Sequence, residues 1–310
     1  MVKKRHFFLI MSVVVVGFVL GSFFDLQINQ ALFHKHNFFG LFMASFAVYP
    51  CYAGLAFIGG GLLATTLKRK DLPLVARIFS YVLAGLAYLM SVYLCGREWP
   101  SVNGFDMPQI APLSYALAAI ILGGVSVGAF FVCHKGEANN LWPALLVMAV
   151  IFALALLPAG FVIKLIIHRP RFRLFMEDPE IPFCNWWESF KEYNEFLSSH
   201  ADKVYDNFTL TKEEFKSFPS GHSGTAAIMM MFLPYASMFL KQLKGKETLL
   251  FYIGFAWTLL MGFSRMLVGA HYLSDVCMGA LIVTVVYYIT NEIALKKKWI
   301  YQEETSELQS

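Results

Sequence analysis

Eight apolar runs dominate this chain and leave it few ways to fold. They cover residues 7–24, 38–67, 75–95, 110–133, 141–168, 219–240, 248–265 and 272–295. A helix needs about 20 apolar residues to cross a bilayer, and these runs meet or approach that length. Of the 310 residues 57% are hydrophobic and 15% charged, where soluble domains average about 25% charged. The expectation is an all-α, polytopic transmembrane bundle of about eight spans. The formal charge of +4 says less than its distribution, and the expected partner is the bilayer, with no nucleic acid.

The second and fifth runs exceed what a span needs, so tilt or extramembrane turns are expected. Pro50 and Gly59-Gly60-Gly61 mark the second as the most irregular. The first run follows Lys3, Lys4 and Arg5, as a signal peptide would. Its apolar part is too long for one and Gly21-Ser22 is a poor cleavage site, so an uncleaved signal anchor is expected.

Lys and Arg set the orientation. Lys3, Lys4, Arg5, Lys68, Arg69, Lys70, Arg77, Lys135, Lys241, Lys244, Lys246 and Lys296-Lys297-Lys298 all fall on one side of an eight-span chain. The positive-inside rule makes that side, with both termini, cytoplasmic in a plasma or inner membrane. Arg97, residues 169–218 and the turn before His271 then face outward. Five cysteines do not form a disulfide framework. Cys95 and Cys184 share the outer side, but all five are expected to be reduced.

The long outer segment, 174–218, carries Trp186, Phe190, Tyr193 and Leu197 at helical spacing. That pattern predicts a helix at the membrane surface, as a lid or headgroup collar or as a plain cover for span ends. Thr211 and Glu214 have capping-box spacing and predict a second short helix.

Three short segments carry the chemistry. Ser264-Arg265 precedes His271 and Asp275, which are four apart; on a helix they share a face, and the carboxylate can hold one ring nitrogen. The other nitrogen is then free for attack, with Arg265 beside an anion. The same residues could instead stitch two helices together in lipid. Lys164, Arg169, Arg171 and Arg173 put four cations within ten residues, a patch for a substrate anion or for phospholipid headgroups. Ser217-Phe218-Pro219-Ser220-Gly221-His222 opens the sixth run. Pro and Ser there expose backbone N–H groups toward an anion, Gly221 admits close approach, and His222 could protonate a leaving oxygen.

In type and order these segments resemble the three signature motifs of the type 2 phosphatidic acid phosphatase family, itself similar to bacterial acid phosphatases and vanadium haloperoxidases. Lys164 and Arg171 fit the first motif (Lys, six residues, Arg-Pro), with Phe172 in place of Pro. Pro219-Ser220-Gly221-His222 completes the second. The third, Ser-Arg, five residues, His, three residues, Asp, runs from Ser264 to Asp275. The resemblance covers about the second half of the chain, 164–275 carrying the motifs. It implies that His271 attacks phosphorus and forms a phosphohistidine, that Asp275 holds its ring, and that His222 protonates the departing oxygen and then activates water. Lys164, Arg171, Arg265, Ser220 and Gly221 would bind the phosphoryl oxygens. Arg169, Arg173, Trp186 and Trp187 are further substrate-binding candidates. The outer residues hold no carboxylate cluster of metal-ligand type, so neither metal nor cofactor is expected.

Membrane members of that family have a six-helix core with the first motif closing the third span. Here it closes the fifth, and 75–133 is expected to hold an added pair in a single phosphatase domain, 1–310. The implied activity is hydrolysis of a lipid phosphomonoester or diphosphate at the outer face: undecaprenyl diphosphate, phosphatidylglycerophosphate, phosphatidate or lipid A phosphates. Its rivals are a lipid phosphotransferase using the same site and a membrane transporter or scaffold that retains the motifs without turnover.

Overall fold

A computed structural model describes residues 2–98, 110–157, 162–201, 203–205 and 208–300. Seven stretches in it are long and apolar enough to cross a membrane. The first is α1 (Lys4–Leu32), 29 residues. At 1.5 Å per residue it is about 44 Å long, so it outreaches a bilayer core of about 30 Å. Its surplus at the far end carries Asp25 and Asn29, both buried.

The second run divides into α2 (Phe38–Phe46) and α3 (Tyr49–Lys68). Asn37 caps α2 by accepting from the Gly40 N–H at 2.9 Å, and Pro50 lies in the first turn of α3. The irregularity expected at Gly59–Gly61 is absent: α3 runs through them unbroken. These glycines form a seam. A Cβ on Gly59 would meet the Ala84 carbonyl at 2.9 Å, one on Gly60 would strike the Ser126 backbone, and one on Gly61 would meet Leu145 Cδ1 at 2.9 Å. Three neighbouring helices can therefore approach α3 closely: α4 (Leu74–Glu98), α5 (Ala111–Lys135) and α6 (Ala138–Leu157). Residues 75–133, expected to hold an added pair, cover most of α4 and α5, which pack on each other and on α3.

The fifth run does not stay helical to His168. Its helix is described to Leu157, and Ile163–Leu165 is a 3-10 turn. Lys164 therefore stands on a turn rather than a long helix. The sixth run forms α9 (Gly221–Ala227) and α10 (Met229–Phe239), with Ile228 between them. After α11 (Glu247–Leu267) and a short turn comes α12 (Leu273–Lys296). Helix α9 packs between α11 and α12, and α1 packs along α12. Phe7, Ile58, Leu62, Ala144, Met230, Phe251 and Tyr287 belong to the main apolar core.

The outer segment has a core of its own, including Leu174, Ile181, Phe196, Phe208 and Phe215. It contains α7 (Phe172–Glu177), α8 (Tyr193–Ser199) and a hairpin of β1 (Val204–Tyr205) with β2 (Phe208–Thr209). The predicted surface helix is shorter than its spacing suggested: Trp186 and Trp187 lie in a turn before α8. Trp186 is held there by donating to Ser22 Oγ of α1 at 2.8 Å and by stacking on Phe218. The short helix after Thr211 forms as a 3-10 turn, Lys212–Phe215, with Thr211 Oγ1 accepting from the Glu213 N–H. Glu214 does not complete the capping box, because Arg173 takes its carboxylate. All five cysteines are unpaired thiols.

Candidate active site

The polar ends of α1, α3, α4, α9, α11 and α12 meet at one end of the bundle. His271 lies in the turn between α11 and α12. That turn needs Gly269, whose φ of +63° disfavours a side chain; a Cβ there would also come within 2.9 Å of the Arg173 N, which donates to the Gly269 carbonyl.

His271 and Asp275 do not share the helical face that their spacing predicts. His271 precedes α12, whereas Asp275 sits in its first turn and accepts from the Tyr272 N–H at 2.9 Å. The two are 3.7 Å apart (Nδ1 to Oδ2), close enough for electrostatic support but too far for a hydrogen bond. The ring's actual partner is the Ser217 carbonyl, 2.7 Å from Nδ1. A carbonyl only accepts, so Nδ1 carries the hydrogen and the Nε2 lone pair is available. Ser217 Oγ in turn donates to Asp275 Oδ2 at 2.5 Å. Burial, reinforced by Arg171 and Lys164, outweighs the Asp275 carboxylate and pushes His271 down to about 3. The imidazole is therefore neutral near pH 7.

Asp275 Oδ1 accepts from Arg169 Nη1 at 2.6 Å. Arg169 is 0% exposed and every arm of its fork is engaged. Nη1 also donates to Ser274 Oγ at 2.9 Å, Nη2 to Asp25 Oδ2 at 2.9 Å and Nε to the Cys184 carbonyl at 2.8 Å. Its guanidinium lies 3.8 Å from the Tyr272 ring centroid. The structure thus corrects the expectation for Arg169: it joins two buried carboxylates instead of facing a ligand. Arg173 is likewise committed, paired with buried Glu214 and lying over Phe208. Burial would raise Glu214, but Arg173 and Arg171 hold it below the usual carboxylate range. Trp186 is docked against α1, whereas Trp187 is 53% exposed.

Asp25 belongs to none of the three motifs and lies within α1. Its signal is a carboxylate at the end of an otherwise apolar first helix, where a charge needs a partner. It receives the Ser274 N–H at 3.0 Å and the Ser274 hydroxyl as well. Asn29, one turn later, donates to the His271 carbonyl at 3.1 Å. Helix α1 therefore braces the turn that carries His271.

The remaining cations are arranged differently. Arg265 is 2% exposed, and its Nε and Nη1 have no hydrogen-bond partner among the described residues. Buried donors of a charged group rarely stay unmatched, so this marks a place for an anion. Lys164 Nζ lies 3.7 Å from where a Cβ on Gly221 would be, which brings the first and second motifs together. Arg171 is fixed by its Nε, donating to the Glu213 carbonyl at 2.9 Å. Ser220 caps α9, accepting from the Ser223 N–H, and its own N–H donates to the Asp275 carbonyl at 2.9 Å. His222, one residue into α9, has Nε2 3.8 Å from Glu98 Oε2.

Two histidines, a braced aspartate and three cations at one end of an apolar helical bundle define a membrane protein that acts on phosphate esters. The model of the PAP2 superfamily matches residues 141–299, half of the chain, and the chain belongs to that superfamily. Its members are phosphatases or phosphotransferases of phosphate esters. Neither the curated proteins nor the solved structures gave a match. The matched region begins in α6 and contains all three motifs; Asp25 and Glu98 lie outside it.

Proposed function

We propose that the protein is an integral membrane lipid phosphatase working through a phosphohistidine, as one membrane-embedded unit with its site on the extracytoplasmic face. One observation carries the reading: buried Arg265 has donors unmatched among the described residues, in the same site as a neutral His271 whose Nε2 bears the lone pair. In the first step Nε2 attacks phosphorus and forms a P–N bond, the P–O bond to the departing ester or diphosphate oxygen breaks, and His222 gives its proton to that oxygen. In the second, His222 takes a proton from water, whose oxygen attacks the phosphohistidine; the P–N bond breaks, and inorganic phosphate and neutral His271 are released. Lys164, Arg171 and Arg265, with Ser220 and the Gly221 backbone, hold the phosphoryl oxygens as charge grows on them. Asp275 supports the imidazolium-like charge that develops on His271.

A site at helix ends suits a lipid whose tail stays in the bilayer while its phosphate enters the water. Outward orientation favours a carrier-lipid diphosphate such as undecaprenyl diphosphate over phosphatidylglycerophosphate or phosphatidate. Exposed Trp187 is the candidate headgroup contact. The test uses purified wild type and His271→Ala in detergent, with EDTA, on a panel of these lipids. Phosphate release by the wild type alone is expected. Release by His271→Ala would refute the mechanism, and phosphate recovered on an acceptor lipid would make the protein a phosphotransferase.

A further inference from the structure

We propose that Glu98, at the end of α4, is a positioning residue for His222, which makes the α4–α5 pair part of the active site. The kinetic half of the argument rests on the phosphatase reading; the placement of the carboxylate does not.

Glu98 reaches His222 from outside the matched region. Its Oε2 is 3.8 Å from His222 Nε2, and its side chain is 14% exposed. Its other oxygen, Oε1, accepts from the Tyr52 hydroxyl of α3 at 3.0 Å. The end of α4 is fixed in turn: Ser114 Oγ of α5 donates to the Gly96 carbonyl at 2.7 Å. The glycine seam of α3 lets the whole pair sit close. Three helices thus set one carboxylate against one imidazole.

The chemistry explains the need. His222 must carry a proton to act as an acid, yet burial first, and then Arg265 from α11 and Arg171 and Lys164 from the segment before α7, oppose a positive charge there. The cations that would hold the phosphate thus work against the acid that would release the leaving group. Arg97 on α4, Asp275 on α12, Arg173 on α7, and Glu213, Glu214 and Lys216 before α9 are further charged groups around this end of the site among the described residues. An anion within about 4 Å of the ring offsets those cations, and a partner within about 4–6 Å moves a titration by about one to three pH units.

The experiment is an NMR titration of the full-length protein with 15N-labelled histidine in micelles containing inorganic phosphate, the His222 signal being assigned by its loss in His222→Ala. Glu98→Gln is expected to lower the His222 midpoint by one pH unit or more. Glu98→Asp, which keeps the charge but withdraws it by one methylene, should lower it less and remains a test if Glu98→Gln fails to fold. A midpoint unchanged in either variant overturns the proposal, whether or not any lipid is turned over. In kinetics, Glu98→Gln should move the alkaline limb of kcat to lower pH by the same amount with KM little changed. An equal loss at every pH would mean that Glu98 is merely structural.

Discussion

Replacing Arg169 with lysine keeps the charge and removes the fork. Arg169 reaches four acceptors on three sides: the Cys184 carbonyl, Ser274 Oγ, Asp275 Oδ1 and Asp25 Oδ2, at 2.6 to 2.9 Å. A lysine ammonium has three donors at a single point and cannot span them. It will keep one carboxylate and leave the other buried without a counter-ion. Breaking a buried ion pair by removing one partner costs about 3–5 kcal/mol, so Arg169→Lys should lose stability of that order. The loss extends to activity, because Asp275 also holds Ser217, whose carbonyl sets the tautomer of His271. A transition-state penalty of only about 1.4 kcal/mol is a tenfold fall in rate; we expect at least that in kcat of the folded protein. Unfolding in denaturant, followed by tryptophan fluorescence, gives the first quantity, and initial rates of phosphate release give the second. Asp25→Asn is the milder companion, since its amide oxygen can still accept from the Ser274 N–H. If Arg169→Lys unfolds and turns over like the wild type, the carboxylate–arginine–carboxylate chain is not what holds the site.

Stability should fall with acid before ordinary carboxylates titrate. The unfolded chain takes a proton on His271 near 6.5 and the folded chain near about 3, so between those values the unfolded state binds more protons. The loss approaches about 1.4 kcal/mol per pH unit, and His271→Gln should flatten the slope between pH 6.5 and 4.5 in denaturation curves. Arg265→Met should abolish most turnover while leaving stability equal or higher, because a buried cation with unmatched donors opposes folding; parallel unfolding and rate measurements check this, and a large loss of stability would contradict it. Trp186→Phe removes the bond to Ser22 and should destabilise by about 1 kcal/mol without changing lipid preference, whereas Trp187→Ala should change it. Competition between two lipid phosphates separates these outcomes.

The helical membrane class was legible from apolar run length alone, since a run long enough to cross lipid has few other fates. The three motifs were equally legible, because His222, His271 and Arg265 sit at spacings that mark their chemistry. Packing, in contrast, lies in contacts between residues far apart in the chain. Gly59–Gly61 read as a weakness and proved to be the seam on which α4 and α5 rest, because lost side chains matter only beside what approaches them. The four-residue step from His271 to Asp275 suggested a shared helical face; the helix begins between them, and the Ser217 carbonyl takes the ring nitrogen. Arg169 and Arg173 looked like ligands of an anion, and the fold satisfies both with carboxylates. Asp25, 144 positions from Arg169, and Glu98, at the end of α4, had no local signal to join them to the motifs. Local sequence therefore determined which groups can do chemistry here. Only the tertiary structure decided which cations are consumed by buried partners and which remain for a phosphate, because desolvation forces every buried charge to find its counterpart wherever the chain brings one.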